Sequence, residues 1–264
     1  MFQPVLPSTG YVGWKFLSQT LDRQQETFAQ SSRVKRATEN FAEKIGAIKT
    51  AADLVDDREL LSVALGAFGL SEDINNKFFI RKVLSDGTSS NTALANRLSD
   101  QRYRSMSAAF GFGDGGSKTA LSGFAQDIIS KYEDRQFEAA VGEQNNDLRL
   151  ALNVESSLSE VVSGNAGQNA QWFALMGNPP LRNVMQTALG LPSSVAQIDV
   201  DQQLTLFKER ASSVFGADRV DELTSPESQE KLIRLFLIRS EAQNNSGLSG
   251  ASTALTLLQS ARRF

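Results

Sequence analysis

Apolar residues recur at three- and four-residue spacing along nearly the whole chain. Trp14, Leu17, Leu21 and Phe28 form one such series, Phe41, Ile45 and Ile48 another, and Leu60, Leu61, Ala64, Leu65 and Phe68 a third. That period lays one apolar stripe along a helix. No stretch alternates β-branched and polar residues with period two, as a half-buried strand would require. The pattern therefore predicts an all-α fold. Glycine and proline punctuate it. Gly69, Gly87, the cluster 111–116, the stretch 164–167, Pro179 and Pro180, Gly190, Gly216 and the stretch 247–250 fall between the periodic runs.

Laid against itself, the chain shows a faint internal repeat. "ELLSVALGAFGL" (59–70) sets over "PLRNVMQTALGL" (180–191), matching Leu60 with Leu181, Val63 with Val184, Ala67 with Ala188, Gly69 with Gly190 and Leu70 with Leu191. Further on, "ANRLSDQRYRSMSAAF" (95–110) lies over "VDELTSPESQEKLIRLF" (220–236), with Leu98 on Leu223 and, after one inserted residue, Phe110 on Phe236. Each copy reads as a helix, a Gly-Leu stop, a second helix and a short turn into a third. Ser99 and Asp100 are the natural caps of that third helix in the first copy. In the second, "TSPE" (224–227) offers Thr224 or Ser225 as N-cap, Pro226 in the first turn, and Glu227 to close a capping box with Thr224. The expected architecture is two quasi-repeated helical units with flanking N- and C-terminal helices. Its segments are an N-terminal helical arm (1–55), the first repeat with a Gly-rich connector (56–118), connecting helices with the second repeat (119–241), and a C-terminal helix (242–264).

Composition narrows the chemistry. A chain of 264 residues buries roughly 70–75% of its unfolded surface, so a packed core is expected. An apolar fraction of 41%, a charged fraction of 22% and a formal net charge of -3 give no electrostatic footprint for nucleic acid or an anionic membrane. The N-terminal "MFQPVLPSTG" lacks a basic n-region, and apolar stretches such as "VALGAFGL" (63–70) fall far short of the ~20 residues that span a bilayer. No membrane insertion is expected; the chain reads as cytoplasmic, or exported without a cleaved signal. There is no Cys and no His, which removes disulfides, thiolate nucleophiles, the usual neutral-pH general base and the commonest transition-metal ligands. No cofactor is expected.

What remains is carboxylates, lysines and glycine loops. "GFGDGG" (111–116) satisfies the letter of GxGxxG, but a helix ending near Phe110 enters it where a strand is needed. "GGSKT" (115–119) nearly makes a phosphate loop, yet Ser117 separates Gly116 from Lys118. The segment reads as a flexible connector between the two halves. Asp53, Asp56, Asp57 and Glu59 lack the spacing of a calcium loop, and Asp56 and Asp57 fall where the next helix begins; Asp199 and Asp201 in "IDVDQQ" (198–203) read the same way. "SSRVKR" (31–36) is too short to anchor nucleic acid, and Trp172, Phe173 and Met176 have the spacing of core residues.

The stretch "MGNPPLR" (176–182) supplies a cap candidate, Asn178, with Pro179 or Pro180 in the first turn, and "GLP" (190–192) ends the same helix. "DDRELLSVALGAFGL" (56–70), "LANRLSDQRYRSMSAAFGF" (94–112) and "MGNPPLRNVMQTALGLP" (176–192) resemble a family of bacterial all-helical proteins catalogued as a domain of unknown function. Members are found mainly in alphaproteobacteria and are often encoded among flagellar genes. The resemblance implies a helical fold and association with the flagellar system; it carries no assigned chemistry.

The function expected from these readings is that of a non-enzymatic structural or interaction protein of the flagellar system, engaging a protein partner through helix surfaces or its terminal segments. Candidate contact residues are Leu17, Leu21 and Phe28 near the start, Asn178, Pro179, Pro180 and Arg182 at the proline turn, and Leu255 and Leu258 in "SGASTALTLLQSARRF" (249–264). The rival is a nucleotide-dependent enzyme centred on Lys118.

Overall fold

The computed structural model describes residues 3–98, 100–164 and 167–261, with side chains through residue 244. Helices dominate, and no strand occurs among the described residues. The all-α expectation holds. By its internal contacts the chain divides into two compact units: residues 1–5 with 20–141, and residues 6–19 with 142–264.

Helix α1 (Gly10–Ala29) contributes its first half to the second unit and its second half to the first. The first unit continues with α2 (Ser32–Lys44), α3 (Ala51–Asp56), α4 (Arg58–Ala67), α5 (Lys77–Asp86), α6 (Leu94–Arg97), α7 (Gln101–Phe110) and most of α8 (Phe124–Gln144). α4 is apolar nearly all round. Leu60, Leu61, Val63, Ala64, Leu65 and Ala67 are all buried, which makes it the central helix of this unit. α2 and α3 pack on it. Gly66 allows α8 to come close, since a Cβ there would lie 2.7 Å from the Tyr132 ring. Phe28 of α1 meets Phe137 of α8 edge-on at 5.7 Å.

The second unit holds α9 (Asn146–Gly164), α10 (Gln168–Gly177), α11 (Pro179–Ala188), α12 (Val200–Phe215) and α13 (Pro226–Ala261). α11 occupies the centre, burying Leu181, Val184, Met185 and Ala188 against α9 and α13. Trp172 of α10 is fully buried. Its indole nitrogen donates to the Asp218 carbonyl at 2.8 Å, and its ring lies 6.3 Å from that of Phe207 on α12.

The two matched sequence blocks share local geometry. Asp57 separates α3 from α4 with φ -86 and ψ 103, and Asn178 separates α10 from α11 with φ -98 and ψ 103. Each residue ends one helix and caps the next. The Asp57 carboxylate accepts from the amides of Glu59 and Leu60, and the Asn178 side-chain oxygen accepts from Leu181 at 3.1 Å. Both central helices then stop in a Schellman turn. Gly69 (φ 69) and Gly190 (φ 68) adopt the left-handed conformation, while Leu70 donates to the Leu65 carbonyl and Leu191 to that of Gln186. The third helices behave differently: α7 packs on α5, whereas α13 packs along α11.

Two expectations need correcting, the capping box at Thr224 and the loose glycine connector, while Ser225 and Asp100 cap as expected. The α13 cap is Ser225, whose hydroxyl accepts from the Ser228 amide; Thr224 instead donates back to the Asp221 carbonyl, so no box with Glu227 forms. Asp100 caps α7, while Ser99 lies outside the described residues. The glycine segment lies inside the first unit and is no loose connector. Asp114 accepts from the amides and hydroxyls of both Thr88 and Ser89 at 2.7–2.8 Å. Gly113 sits so close to Gly87 that a Cβ on it would lie 2.2 Å from the Gly87 nitrogen.

Candidate functional site

The proline turn of the second unit lies beside the α10–α12 contact. α10 and α12 run antiparallel. Asn169 accepts from Lys208 at 2.8 Å, Trp172 stacks near Phe207, and the Arg182 guanidinium bridges the ends by donating to the Met176 carbonyl and to Gln203 Oε1 at 2.7 Å. Arg182 also lies over the Phe207 ring, 5.9 Å from its centroid. Gln203, itself buried, donates from its amide to the Ile198 carbonyl at 2.8 Å. This chain of polar contacts fixes the proline turn against the turn that begins α12.

Around that network stand exposed apolar residues: Phe173 at 37%, Ile198 at 40% and Val200 at 51% of full accessibility, with Pro179 also exposed. Phe173 follows Asn169 by one helical turn, and Val200 precedes Leu204 and Lys208 by one and two, so they lie along the sides that the Asn169–Lys208 bond joins. Asp199 and Asp201 are exposed beside them, with the Asp199 side chain capping α12 through the Asp201 amide.

The predicted contact residues scatter. Leu17 is fully buried in the second unit, Phe28 is buried in the first, and Leu21 is half-buried. These positions serve the core, so the amphipathic start of the chain is not a free arm. Gln24 clips the segment before it, its side-chain oxygen accepting from the Val5 amide at 2.7 Å. Asn178, Pro180 and Arg182 are half-exposed at the proline turn beside Pro179. Leu255 and Leu258 belong to α13, but their side chains lie outside the described residues, as do Arg262 and Arg263 entirely.

Asp199 caps α12, as its place in "IDVDQQ" predicts, while nothing in the sequence marks Ile198 and Val200 on either side of it. Nor did it anticipate Glu230. That carboxylate accepts from Tyr11 Oη at 2.7 Å, Lys15 Nζ at 3.1 Å and Trp14 Nε1 at 3.4 Å, fastening the first half of α1 to α13. Burial pushes its pKa upward, but the three donors outweigh that and hold it below the ordinary glutamate value. Beside it is a recess of about 240 Å³ lined by Tyr11, Glu227, Glu230, Lys231 and Arg234. Small-molecule sites typically occupy roughly 300–1,000 Å³.

The residues weighed for other chemistry have internal partners. The Lys118 ammonium donates to the Ala108 carbonyl at 2.9 Å. Asp53 closes a capping box with Thr50, and Asp56 pairs with Arg81 at 3.1 Å. Among the described residues no group of three or more acidic side chains is placed to hold a metal ion. No helix among them is long and apolar enough to cross a membrane.

A family described as "Protein of unknown function (DUF1217)" matches residues 67–228. A crystallographically solved protein from Agrobacterium tumefaciens is similar in sequence and fold: 29% identical, with a TM-score of 0.74, over 92% of this chain and all of that one. No curated protein matches the chain.

Proposed function

We propose, from the premise that this chain belongs to the DUF1217 family of unknown function, that it is a non-enzymatic interaction protein of the bacterial flagellar system. One observation carries the non-enzymatic part: the side chains best equipped for chemistry are already engaged in the fold. Lys118 is bound to a helix carbonyl, Asp114 anchors the glycine loop, and Glu230 fastens α1. The exposed residues Phe173, Ile198, Val200, Asp199 and Asp201 are apolar and acidic and offer a protein contact. The flagellar assignment rests on the resemblance to proteins encoded among flagellar genes.

Affinity capture from flagellated cells tests the reading, with the full chain as bait and Ile198→Asp/Val200→Asp as the control. Flagellar components are expected with the first and depleted with the second. Recovery of soluble metabolic enzymes alone, together with unchanged motility on gene deletion, would contradict it. A thermal-shift screen with ATP, GTP and NAD in magnesium addresses the rival. A ligand at 100 times its Kd stabilises by about 2.7 kcal/mol, and no such shift is expected here.

A further inference from the structure

We propose that the outer face of α5, centred on Phe78, receives the run 196–202 of a second copy of this chain. This rests on the interaction reading and names one partner for it. Phe78 is 83% accessible, the most exposed large apolar side chain among the described residues, while Ile80, Val83 and Leu84 on the other side of α5 are core. Cations surround the ring. The Arg58 guanidinium of α4 donates to Asn75 Oδ1 at 3.3 Å, three residues before Phe78, and no carboxylate pairs with it among the described residues. Arg81 and Lys82 follow Phe78 by three and four residues, the spacing of neighbours on a helix surface, and pair with Asp56 at 3.1 Å and Asp86 at 2.5 Å. These contacts make the patch continuous from the start of α4 across the turn before α5 and along α5 itself. Its sign persists beyond it. Residues 77–104 hold six Lys and Arg against two Asp, in a chain whose formal net charge is -3.

The run 196–202 is the opposite kind of surface. All seven residues are exposed, and Ile198, Asp199, Val200 and Asp201 alternate apolar and acidic. No Lys or Arg occurs between Arg182 and Lys208, and neither aspartate is in an ion pair among the described residues. Buried residues hold the run at both ends. Val195 precedes it, and Gln203 follows it and donates to the Ile198 carbonyl at 2.8 Å, so docking requires little ordering of the backbone. Between copies, two aliphatic side chains meet an exposed ring, and two carboxylates meet guanidinium and ammonium groups. Two α5 faces brought together would oppose cations to cations, and two runs would oppose carboxylates to carboxylates. The favoured contact therefore joins the face of one copy to the run of another. One short run on one helix face is a small interface, so the association is reversible and weakens with salt.

Full-length variants at exposed positions test this: Phe78→Asp, which spoils the face, and Val200→Lys/Asp201→Lys, which spoils the run. Lys82→Glu, which reverses a charge and keeps the ring, is a second face variant with the same expectations should Phe78→Asp lose helix by circular dichroism. In sedimentation velocity at low salt, the weight-average mass of the unaltered chain should rise above one chain with concentration and return to one chain in molar salt. Each variant alone should stay monomeric. Mixed at equal concentration, a face variant and the run variant should form a 1:1 dimer, since the first keeps the run and the second keeps the face. A monomeric unaltered chain would overturn the proposal, as would a mixture that stays monomeric or either variant associating with itself as the unaltered chain does. Because purified protein is used, these failures leave capture of flagellar components untouched, and failure of that capture leaves this contact in place.

Discussion

Asp114 is the residue on which the glycine loop depends. Burial raises the pKa of its carboxyl, but the amides and hydroxyls of Thr88 and Ser89 more than offset that and bring it down to about 2. Replacement by Asn leaves donors facing an amide nitrogen. Asp114→Asn should lower stability at pH 7 by on the order of 2 kcal/mol, as measured by urea denaturation, since hydrogen bonds to a charged group contribute about 1.5–3 kcal/mol. Because the folded pKa is depressed, the charge contribution is fully present above the ordinary carboxylate range and is lost as pH falls toward about 2. The gap between variant and unaltered protein should accordingly shrink as pH drops below about 4. Tyr103 shows the opposite shift: burial, then its hydrogen bond to Asp73 at 2.6 Å, raises the phenol to about 12. Ultraviolet titration should find Tyr103 ionising well above the ordinary value, with Tyr11 and Tyr132 also displaced upward, and the stability associated with Tyr103 lost as pH rises from 10 toward 12.

At the scale of elements, the paired junctions at Asp57 and Asn178 answer a question the proline turn raises. A helix start leaves its first amides without partners. In α4 these include Glu59 and Leu60, and Asp57 satisfies both. In α11 the first two positions are Pro179 and Pro180, which have no amide hydrogen, so Asn178 needs to reach only Leu181. The prolines lighten the capping requirement and, in doing so, place Pro179 at the surface. Asp57→Ala should therefore cost more than Asn178→Ala, around a typical capping loss of about 1 kcal/mol, in parallel denaturation curves. These junctions were legible in the sequence because a cap, a first-turn proline and a left-handed glycine are local rules. The partners of the third helices were not. "SDQRY" and "TSPES" announce helix starts equally well, yet α7 turns to α5 and α13 to α11, a choice made by packing over long sequence separation.

For the whole molecule, the threading of the chain sets the outcome. Residues 6–19 belong to one compact unit and 20–141 to the other, so the same helix, α1, supplies core to both: Leu17 in one, Phe28 in the other. Deleting residues 1–30 should reduce both helicity and soluble yield, readable by circular dichroism, whereas a free arm could be removed without harm. The sequence could not distinguish these cases, because an apolar stripe at helical spacing looks alike whether it faces a partner or its own core. Exposure of Ile198 and Val200 was hidden for a related reason: each is a single apolar residue beside a capping aspartate, with no periodicity to mark it. Association with the flagellar system is most directly tested by fractionating flagellated cells with an antibody to this protein. The protein is expected in the hook and basal-body fraction or in the medium. Recovery solely in the cytosolic fraction, with none sedimenting with basal bodies, would contradict it.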